Sequence, residues 1–326
     1  MLYQNTMLIE HYNAARNYAA AVRQHWMGLL KLTGSERQSW LQGMVTNEVE
    51  KLTSGEGCYA AHLNAQGRVV AQMTVLVTDD EVWLLVERET AAKLAAVFDK
   101  LIIMEDVQVL DASDEYEVLG LVGPAAEGIL EKWSGQSFPR KAMYSHQKVG
   151  NGRVSLTDLG YEAIVLRETA NNAIETFVAS GAVQINEDTW NVLRAEAGLP
   201  LYGVDIDETT TLPELGQRGI SYEKGCYIGQ EVVARIKYIG HVNRRFVGFV
   251  CEGTAVPEVR SVVQAQGKDA GYVTTGVFSP GLNKPIALGF VNRAASEPGK
   301  EVMLVGKSGN IPAVVASFPL LNQSGD

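Results

Sequence analysis

The chain has 326 residues, of which 46% are hydrophobic, and its formal charge at pH 7 is −10. This length is enough for about two or three compact domains, and the composition excludes a disordered or fibrous protein. The acidic balance repels polyanions, so direct nucleic-acid binding is not expected without a strong local basic patch.

The N-terminal stretch lacks the pattern of an export signal. Glu10, His11 and Arg16 interrupt its apolar runs, and no basic start precedes an apolar core. Nowhere do about eighteen apolar residues follow one another, as a membrane-spanning helix requires. We therefore expect a cytoplasmic protein that does not enter a membrane.

A glycine-rich stretch, Gly55 to Ala60, formally satisfies the dinucleotide-binding pattern GxGxxA. No buried strand precedes it, and it leads into a strand instead of a helix, so we interpret it as a turn. The strand-like segments VVAQMTVLVTD and EVWLLVE follow, and the turn from Thr78 to Glu81 between them predicts a hairpin. The alanine-rich residues 89–103 then predict an amphipathic helix. The order strand, strand, helix indicates an α+β protein.

The segment EDTWNVLRAEAGLPLYG has a full set of helix signals. Asp188 or Thr189 is the predicted N-cap, residues 190–197 form the interior, and Gly198 ends the helix. From about Phe246 onward, short strands alternate with glycine and proline turns, which predicts a small closed or sandwiched β-domain.

Gly306-Lys307-Ser308 resembles the end of a phosphate-binding P-loop. The preceding glycine, Gly299, is separated from Gly306 by six residues where that loop needs four, so we predict a hairpin here.

Three cysteines, Cys58, Cys226 and Cys251, have neither the number nor the spacing of a disulfide framework or a zinc site. We expect reduced thiols and no metal. Cys226 differs from the other two because glycines flank it in KGCYIGQE, residues 224–231, and a short helix is predicted over residues 230–237. A thiolate before a helix and close to Lys224 would be stabilised, whereas a buried loop thiol is the alternative.

A positive cluster follows in this acidic protein: Arg235, Lys237, Arg244 and Arg245. These residues either meet carboxylates or phosphates of a ligand, or they are solvated charges on an exposed edge.

KGCYIGQE resembles the signature of the YgfZ family of folate-binding proteins, K-G-C-Y-x-G-Q-E. Most of the chain is similar to the wider superfamily of the glycine cleavage T-protein, through LTGSERQSWLQGMVTNEVEKLTSGEG, LRAEAGLPLYGVDID and GYVTTGVFSPGLNKPIALGFV. The resemblance implies a T-protein-like α+β fold: two interwoven α+β subdomains around a central folate channel in residues 1–240, and a C-terminal β-barrel in residues 241–326.

The resemblance also implies a function, namely support of iron–sulfur cluster assembly or repair in client enzymes, including tRNA-modifying ones. Tetrahydrofolate or a one-carbon derivative is the implied ligand, and iron–sulfur client or assembly proteins are the implied partners of a monomer. The functional cysteine corresponds to Cys226, and the signature comprises Lys224, Gly225, Cys226, Tyr227, Gly229, Gln230, Glu231 and Arg235. The implied folate-binding residues are Arg194, Met44, Tyr59 and Glu162.

Two departures from the T-protein pattern bear on catalysis. The GG-x-x-DD run of T-proteins corresponds to GRVVAQ here, with Ala71 and Gln72 in place of the aspartates. The GYTGEDG pterin-binding loop is also missing, and LTDLGYEAIVL offers only Glu162 nearby. Because methylene transfer needs an acid–base group, these changes argue against the alternative function, a folate-dependent aminomethyltransferase. A third hypothesis is an interaction scaffold without a ligand.

Overall fold

The computed structural model describes residues 2–138, 142–307 and 309–321. The chain forms two compact units, the first made of Met1–Glu187 with Arg218–Glu231 and the second of Asp188–Gln217 with Val232–Asp326. The boundary expected between residues 240 and 241 stays a prediction. No helix in the described ranges combines the length and apolarity that a membrane crossing demands.

The first unit contains two sheets and five helices within its described residues. Its helices are α1 (Leu2–Asn17), α2 (Arg37–Met44), α3 (Arg88–Leu101), α4 (Ala126–Ser134) and α5 (Arg167–Ala179). Its strands are β1 (Ala20–Arg23), β2 (Met27–Thr33), β3 (Gly57–Leu63), β4 (Val69–Val77), β5 (Val82–Glu87), β6 (Gln108–Asp111), β7 (Tyr116–Val122), β8 (His146–Val149), β9 (Gly152–Thr157), β10 (Gly160–Leu166) and β11 (Val183–Gln184).

The strand orders are β3-β4-β5-β2-β6 in one sheet and β11-β1-β7-β10-β9-β8 in the other. Apolar side chains from both sheets, among them Leu29, Trp83 and Ile164, form a shared buried cluster. This layer holds the two α+β halves of the unit together. The predicted hairpin is confirmed as β4 paired antiparallel with β5, and the alanine-rich helix as α3.

The second unit is built around a closed six-stranded barrel, ordered β12-β15-β14-β13-β16-β17. These strands are β12 (Arg244–Cys251), β13 (Val262–Ala265), β14 (Lys268–Ser279), β15 (Lys284–Asn292), β16 (Glu301–Gly306) and β17 (Gly309–Ala316). Gly306 pairs with Gly309 where β16 turns into β17, so the hairpin expected in place of a P-loop is confirmed. The helices are α6 (Glu187–Ala197), a 3-10 turn Leu212–Leu215, α7 (Gln230–Tyr238) and a second 3-10 turn Arg293–Ala295.

Helix α6 ends as predicted, with Gly198 at φ +75, a conformation that favours glycine. Its predicted start is wrong, because the helix already begins at Glu187 and Thr189 lies buried within it. Acidic residues are favoured in the first turn of a helix as well as at the N-cap, so Asp188 fits either position.

Candidate functional site

The loop that carries Cys226 is attached to the end of α2 and the residues that follow it by a buried lysine. Lys224 Nζ donates to the carbonyl oxygens of Gln42, Val45 and Asn47, each at 2.7 Å. These bonds use all three protons of the ammonium group. No proton is therefore left for a hydrogen bond to the Cys226 thiolate, and Lys224 is a structural anchor.

Backbone contacts reinforce this anchor. Ser221 N–H donates to the Thr46 carbonyl at 3.0 Å, and Ile228 N–H donates to the Gly43 carbonyl at 3.2 Å. Gly229 has φ +83, and a Cβ there would lie 2.6 Å from the Asn64 carbonyl oxygen. Glycine is thus required at residue 229 by both conformation and space.

Cys226 is exposed, which confirms the predicted access to its thiol. Its neighbour Tyr227 is buried, with Lys224 Nζ 5.2 Å from the ring centroid. Gly225 has open space around it and does not use the left-handed conformation. Of the two glycines that flank Cys226, only Gly229 uses the backbone freedom of glycine. The loop therefore presents one thiol outward between two buried side chains.

The other two thiols are poor nucleophiles. Burial raises the pKa of the Cys58 thiol to about 12, and Lys224 only partly offsets this effect. Burial likewise raises the pKa of the Cys251 thiol to about 12. Since the thiolate is the reactive form, Cys226 is the candidate for any thiol chemistry.

The remaining signature residues lie at the start of the confirmed helix α7. Gln230 begins the helix, and its side-chain amide donates to the Gly225 carbonyl at 3.4 Å. Glu231 and Arg235 are both exposed, and Arg235 forms no ion pair within the described part of the chain. Arg235 therefore does not pair with Glu231 there, and a ligand contact by Arg235 stays a prediction.

The basic cluster predicted after KGCYIGQE is smaller than the sequence suggests. Arg244 pairs with Glu214 at 3.1 Å, donates to the Tyr272 hydroxyl at 2.8 Å and lies 4.4 Å from the Phe290 ring centroid. These contacts give Arg244 a structural role inside the second unit. It is not a free charge for a ligand.

Three of the predicted folate-binding residues, Tyr59, Met44 and Glu162, belong to the first unit. Tyr59 lies on β3, and its hydroxyl donates to the Gln72 side-chain oxygen. Gln72, at one of the two positions where T-proteins have aspartates, is thus a buried partner of Tyr59. Met44 is the last residue of α2 and packs against the core of the five-stranded sheet.

Glu162 lies on β10 and is buried. Burial raises the pKa of its carboxyl to about 7, the charge of Asp158 adds to this rise, and a hydrogen bond with Gln24 opposes it. A carboxyl with this pKa exchanges its proton near neutral pH, which suits general acid–base work. Burial raises the pKa of Tyr59, and the charge of Asp158 adds a smaller rise, so Asp158 acts on both Glu162 and Tyr59.

The fourth predicted folate residue, Arg194, lies in the second unit. Its guanidinium donates to the Asp205 carboxylate at 2.7 Å, the Leu199 carbonyl at 3.0 Å and the Thr275 hydroxyl at 3.0 Å. Thr274 also donates to Asp205, at 2.6 Å. This buried network ties α6 to the barrel, and a folate contact by Arg194 stays a prediction.

Sequence reasoning missed a second arginine site, around Tyr59. The Arg218 guanidinium carbon lies 4.1 Å from the Tyr59 ring centroid. Arg218 also pairs with Asp158 at 2.5 Å and donates to the Tyr144 hydroxyl at 2.7 Å. These residues come from distant parts of the chain and match no motif, so no local signal predicts their contact.

Sequence comparison places this architecture in a known family. The profile described as "GCVT N-terminal domain" matches residues 3–220, and the one described as "Glycine cleavage T-protein C-terminal barrel domain" matches residues 244–322. The chain belongs to the glycine cleavage T-protein family.

T-protein relatives match along almost the whole chain. The aminomethyltransferase of Chloroherpeton thalassium is 30% identical, with 98% of this chain and 91% of the relative covered. That of Thermosynechococcus vestitus is 29% identical, over 97% of this chain and 88% of the relative. The crystal structure of glycine cleavage system aminomethyltransferase T from Bartonella henselae superposes with a TM-score of 0.89 at 21% identity, covering 97% of this chain and 90% of that one. The expected T-protein fold, with α+β subdomains and a C-terminal barrel, is confirmed, whereas the finer resemblance to YgfZ proteins stays a prediction.

Proposed function

We propose that this T-protein family member binds tetrahydrofolate and transfers an aminomethyl-derived one-carbon unit to it. The relatives at 27–30% identity are named aminomethyltransferases, and they align along almost the whole chain. The observation that carries the proposal is the buried carboxyl of Glu162, whose pKa is raised to about 7.

The chemistry requires a group that exchanges a proton with the reacting amine. Methylene transfer forms two C–N bonds to the folate and breaks the C–N and C–S bonds of the aminomethyl carrier. Ammonia and the lipoyl thiol leave with the two N–H protons of the folate, and a positioned carboxyl group that relays such a proton speeds the reaction. The replacement of the T-protein aspartates by Ala71 and Gln72 argues against transfer only if no other acid is present. Glu162 supplies one in the same unit as Tyr59 and Met44, the side chains proposed to hold the folate.

Turnover with purified components tests this proposal. The protein is incubated with an aminomethyl-loaded lipoyl carrier protein and tetrahydrofolate, and methylenetetrahydrofolate is measured. We expect Glu162→Gln to lower kcat by about 10²–10⁴, the range of general acid–base catalysis. The matched control is Glu175→Gln, since Glu175 is exposed on α5. Absence of turnover by the unaltered protein contradicts the proposal.

A second candidate function is support of iron–sulfur enzymes through Cys226, with client or assembly proteins as partners. The observation that favours it is the exposed Cys226 thiol on a loop held by Lys224. A thiol placed in this way is suited to transient contact with a client protein. This role does not require the protein to catalyse aminomethyl transfer.

Complementation separates the two candidates. In a strain that lacks the protein, we expect Cys226→Ala and Cys226→Ser to fold yet fail to restore iron–sulfur enzyme activity, while Cys251→Ala restores it. Full rescue by both Cys226 variants rules out the thiol role. Calorimetry with tetrahydrofolate tests the scaffold alternative, which predicts no binding.

A further inference from the structure

The strand β6 is an uncovered edge of the five-stranded sheet. Within the described residues, β2 is the only strand that pairs with it. The opposite edge strand, β3, is covered in part by the residues after α2, through a bridge between Val45 and His62. In the other sheet the edge strand β8 also has a neighbour, because the His146 N–H donates to the Gly55 carbonyl at 2.8 Å. An uncovered edge such as β6 is a template for pairing with another strand.

The backbone of β6 has hydrogen-bonding groups on its open side. Just after the strand, the Ala112 N–H donates to the Leu29 carbonyl on β2 at 2.9 Å. The bonds of an antiparallel pair alternate along the strand, so the N–H and C=O of Leu110 point toward β2, whereas those of Val109 and Asp111 point away from it. An extended segment laid along β6 therefore meets donors and acceptors at the spacing of a β-ladder.

Large apolar side chains lie on this edge and on the loop that leads into it. Leu110 is 53% exposed, and Ile103 and Met104, between α3 and β6, are 84% and 92% exposed. The Glu105 carboxylate fixes the loop, because it accepts the N–H groups of Ile103 and Met104 at 2.9 and 3.0 Å. A loop that is already fixed loses little conformational entropy when a partner packs on it. These side chains suit a partner that brings apolar side chains of its own.

The charges along this edge determine which sign of partner it attracts. Residues 99–115 contain one base, Lys100, and six acidic residues, Asp99, Glu105, Asp106, Asp111, Asp114 and Glu115. All of these except Glu105 are exposed, and Arg88 pairs with Asp114 alone among them. A second copy of this chain would bring the same acids to the contact and be repelled, whereas a basic segment is attracted.

We propose that β6 is a docking strand to which a partner protein adds an extended segment of alternating basic and apolar residues. The outward N–H and C=O groups of Val109 and Asp111 supply the main-chain bonds, and the acidic residues give the preference for a basic partner. Because β6 has only 4 residues, we expect a weak and reversible contact. This inference goes beyond the proposed function and does not depend on folate binding.

Hydrogen exchange with a defined peptide tests the docking strand. The probe is a short peptide of alternating lysine and valine with blocked ends, added to the full chain. We expect the amides of Val109 and Asp111 to gain protection, while that of Leu110, which already points toward β2, changes little. The same peptide methylated at every backbone nitrogen keeps its charges but donates no main-chain bond, and it should not bind. A peptide of alternating glutamate and valine should not bind either.

Variants of the protein test the two determinants separately. Val109→Pro removes an outward N–H without removing a bond to β2, and it should weaken binding of the lysine–valine peptide by about two- to tenfold. Asp111→Lys reverses a charge on the edge, should weaken binding by a similar factor, and serves if Val109→Pro does not fold. The control is Glu175→Lys, since Glu175 is exposed on α5 and its reversal changes the net charge equally.

Three results would overturn the docking strand. The first is that the lysine–valine peptide gives no protection at Val109 and Asp111. The second is equal binding of the methylated peptide, or equal weakening by Asp111→Lys and Glu175→Lys, since either shows general charge attraction. The third is a dimer in sedimentation that Val109→Pro abolishes, which assigns the edge to a second copy of the chain. Aminomethyl turnover enters none of these measurements, so failure of the proposed function leaves them unaffected.

Discussion

Replacing Lys224 by Met tests whether this lysine holds the Cys226 loop in place. Methionine keeps an unbranched apolar stem but donates no hydrogen bond. The variant therefore loses the three 2.7 Å bonds to the carbonyls of Gln42, Val45 and Asn47.

The magnitude follows from where those carbonyls lie. The bond to Val45 is buried, and the other two are partly buried, so water replaces the lysine more readily at Gln42 and Asn47. A hydrogen bond to a charged group contributes about 1.5–3 kcal/mol, and a buried acceptor left unpaired costs about 1–3 kcal/mol. Burial already disfavours the ammonium and lowers its pKa to about 8, which places the net loss at the low end of the sum. We expect the free energy of unfolding to fall by about 2–4 kcal/mol.

Urea unfolding and hydrogen exchange measure this effect together. In Lys224→Met, the amides of Ser221 and Ile228, which bond to Thr46 and Gly43, should lose protection, while the amides of the barrel keep theirs. Lys148→Met is the control, because Lys148 is exposed on β8 and its loss should change stability by less than about 0.5 kcal/mol. Equal urea midpoints and equal protection for Lys224→Met and the unaltered protein would refute the anchoring role.

Three further predictions concern backbone space and titration. Gly229→Ala should lower the free energy of unfolding by at least about 1–2 kcal/mol, because Gly229 has φ +83 and a Cβ there would contact the backbone at Asn64. Gly225→Ala is the control and should be tolerated, since nothing lies close to Gly225. Thermal melts compare the two variants. The carboxyl of Glu162 has a pKa near 7 in the folded chain and 4.5 as its ordinary value, so its contribution to stability is present below pH 4.5 and is lost as the pH rises through 7. Glu162→Gln should consequently unfold at higher urea than the unaltered protein at pH 8, and a lower midpoint contradicts this reasoning. His146 behaves oppositely: burial lowers its pKa from 6.5 to about 4, so its contribution is present above pH 6.5 and is lost as the pH falls through 4. The unfolding free energy of His146→Gln should fall less between pH 6.5 and 4 than that of the unaltered protein.

Local patterns in the sequence were sufficient for the elements whose determinants lie within a few residues. The β4–β5 hairpin follows from its strand composition and the turn at residues 78–81, and the end of α6 follows from Gly198. The repeated short strands after Phe246 predict a closed or sandwiched β-domain, and the structure shows the closed barrel. KGCYIGQE likewise distinguishes Cys226 from the other two cysteines, because the motif is contiguous, and the structure shows this thiol exposed.

Tertiary structure decided the roles that depend on contacts between distant segments. Lys224 reaches carbonyls 177 to 182 residues away, whereas its place in the sequence suggested only that it lies close to the Cys226 thiolate. The sequence places Arg244 in a basic cluster, whereas in the structure it pairs with Glu214 and donates to Tyr272 inside the second unit. The partners that a charged side chain meets are a property of packing.

The same reason explains Glu162 and Arg218. A carboxylate in the sequence has an ordinary pKa, and only its burial on β10 raises the pKa of Glu162 to about 7. Arg218 becomes a neighbour of Tyr59 only when distant segments of the first unit meet. Residue order thus determined the family, the fold and the candidate thiol, whereas burial and long-range contacts decided which groups are paired and which exchange protons near neutral pH.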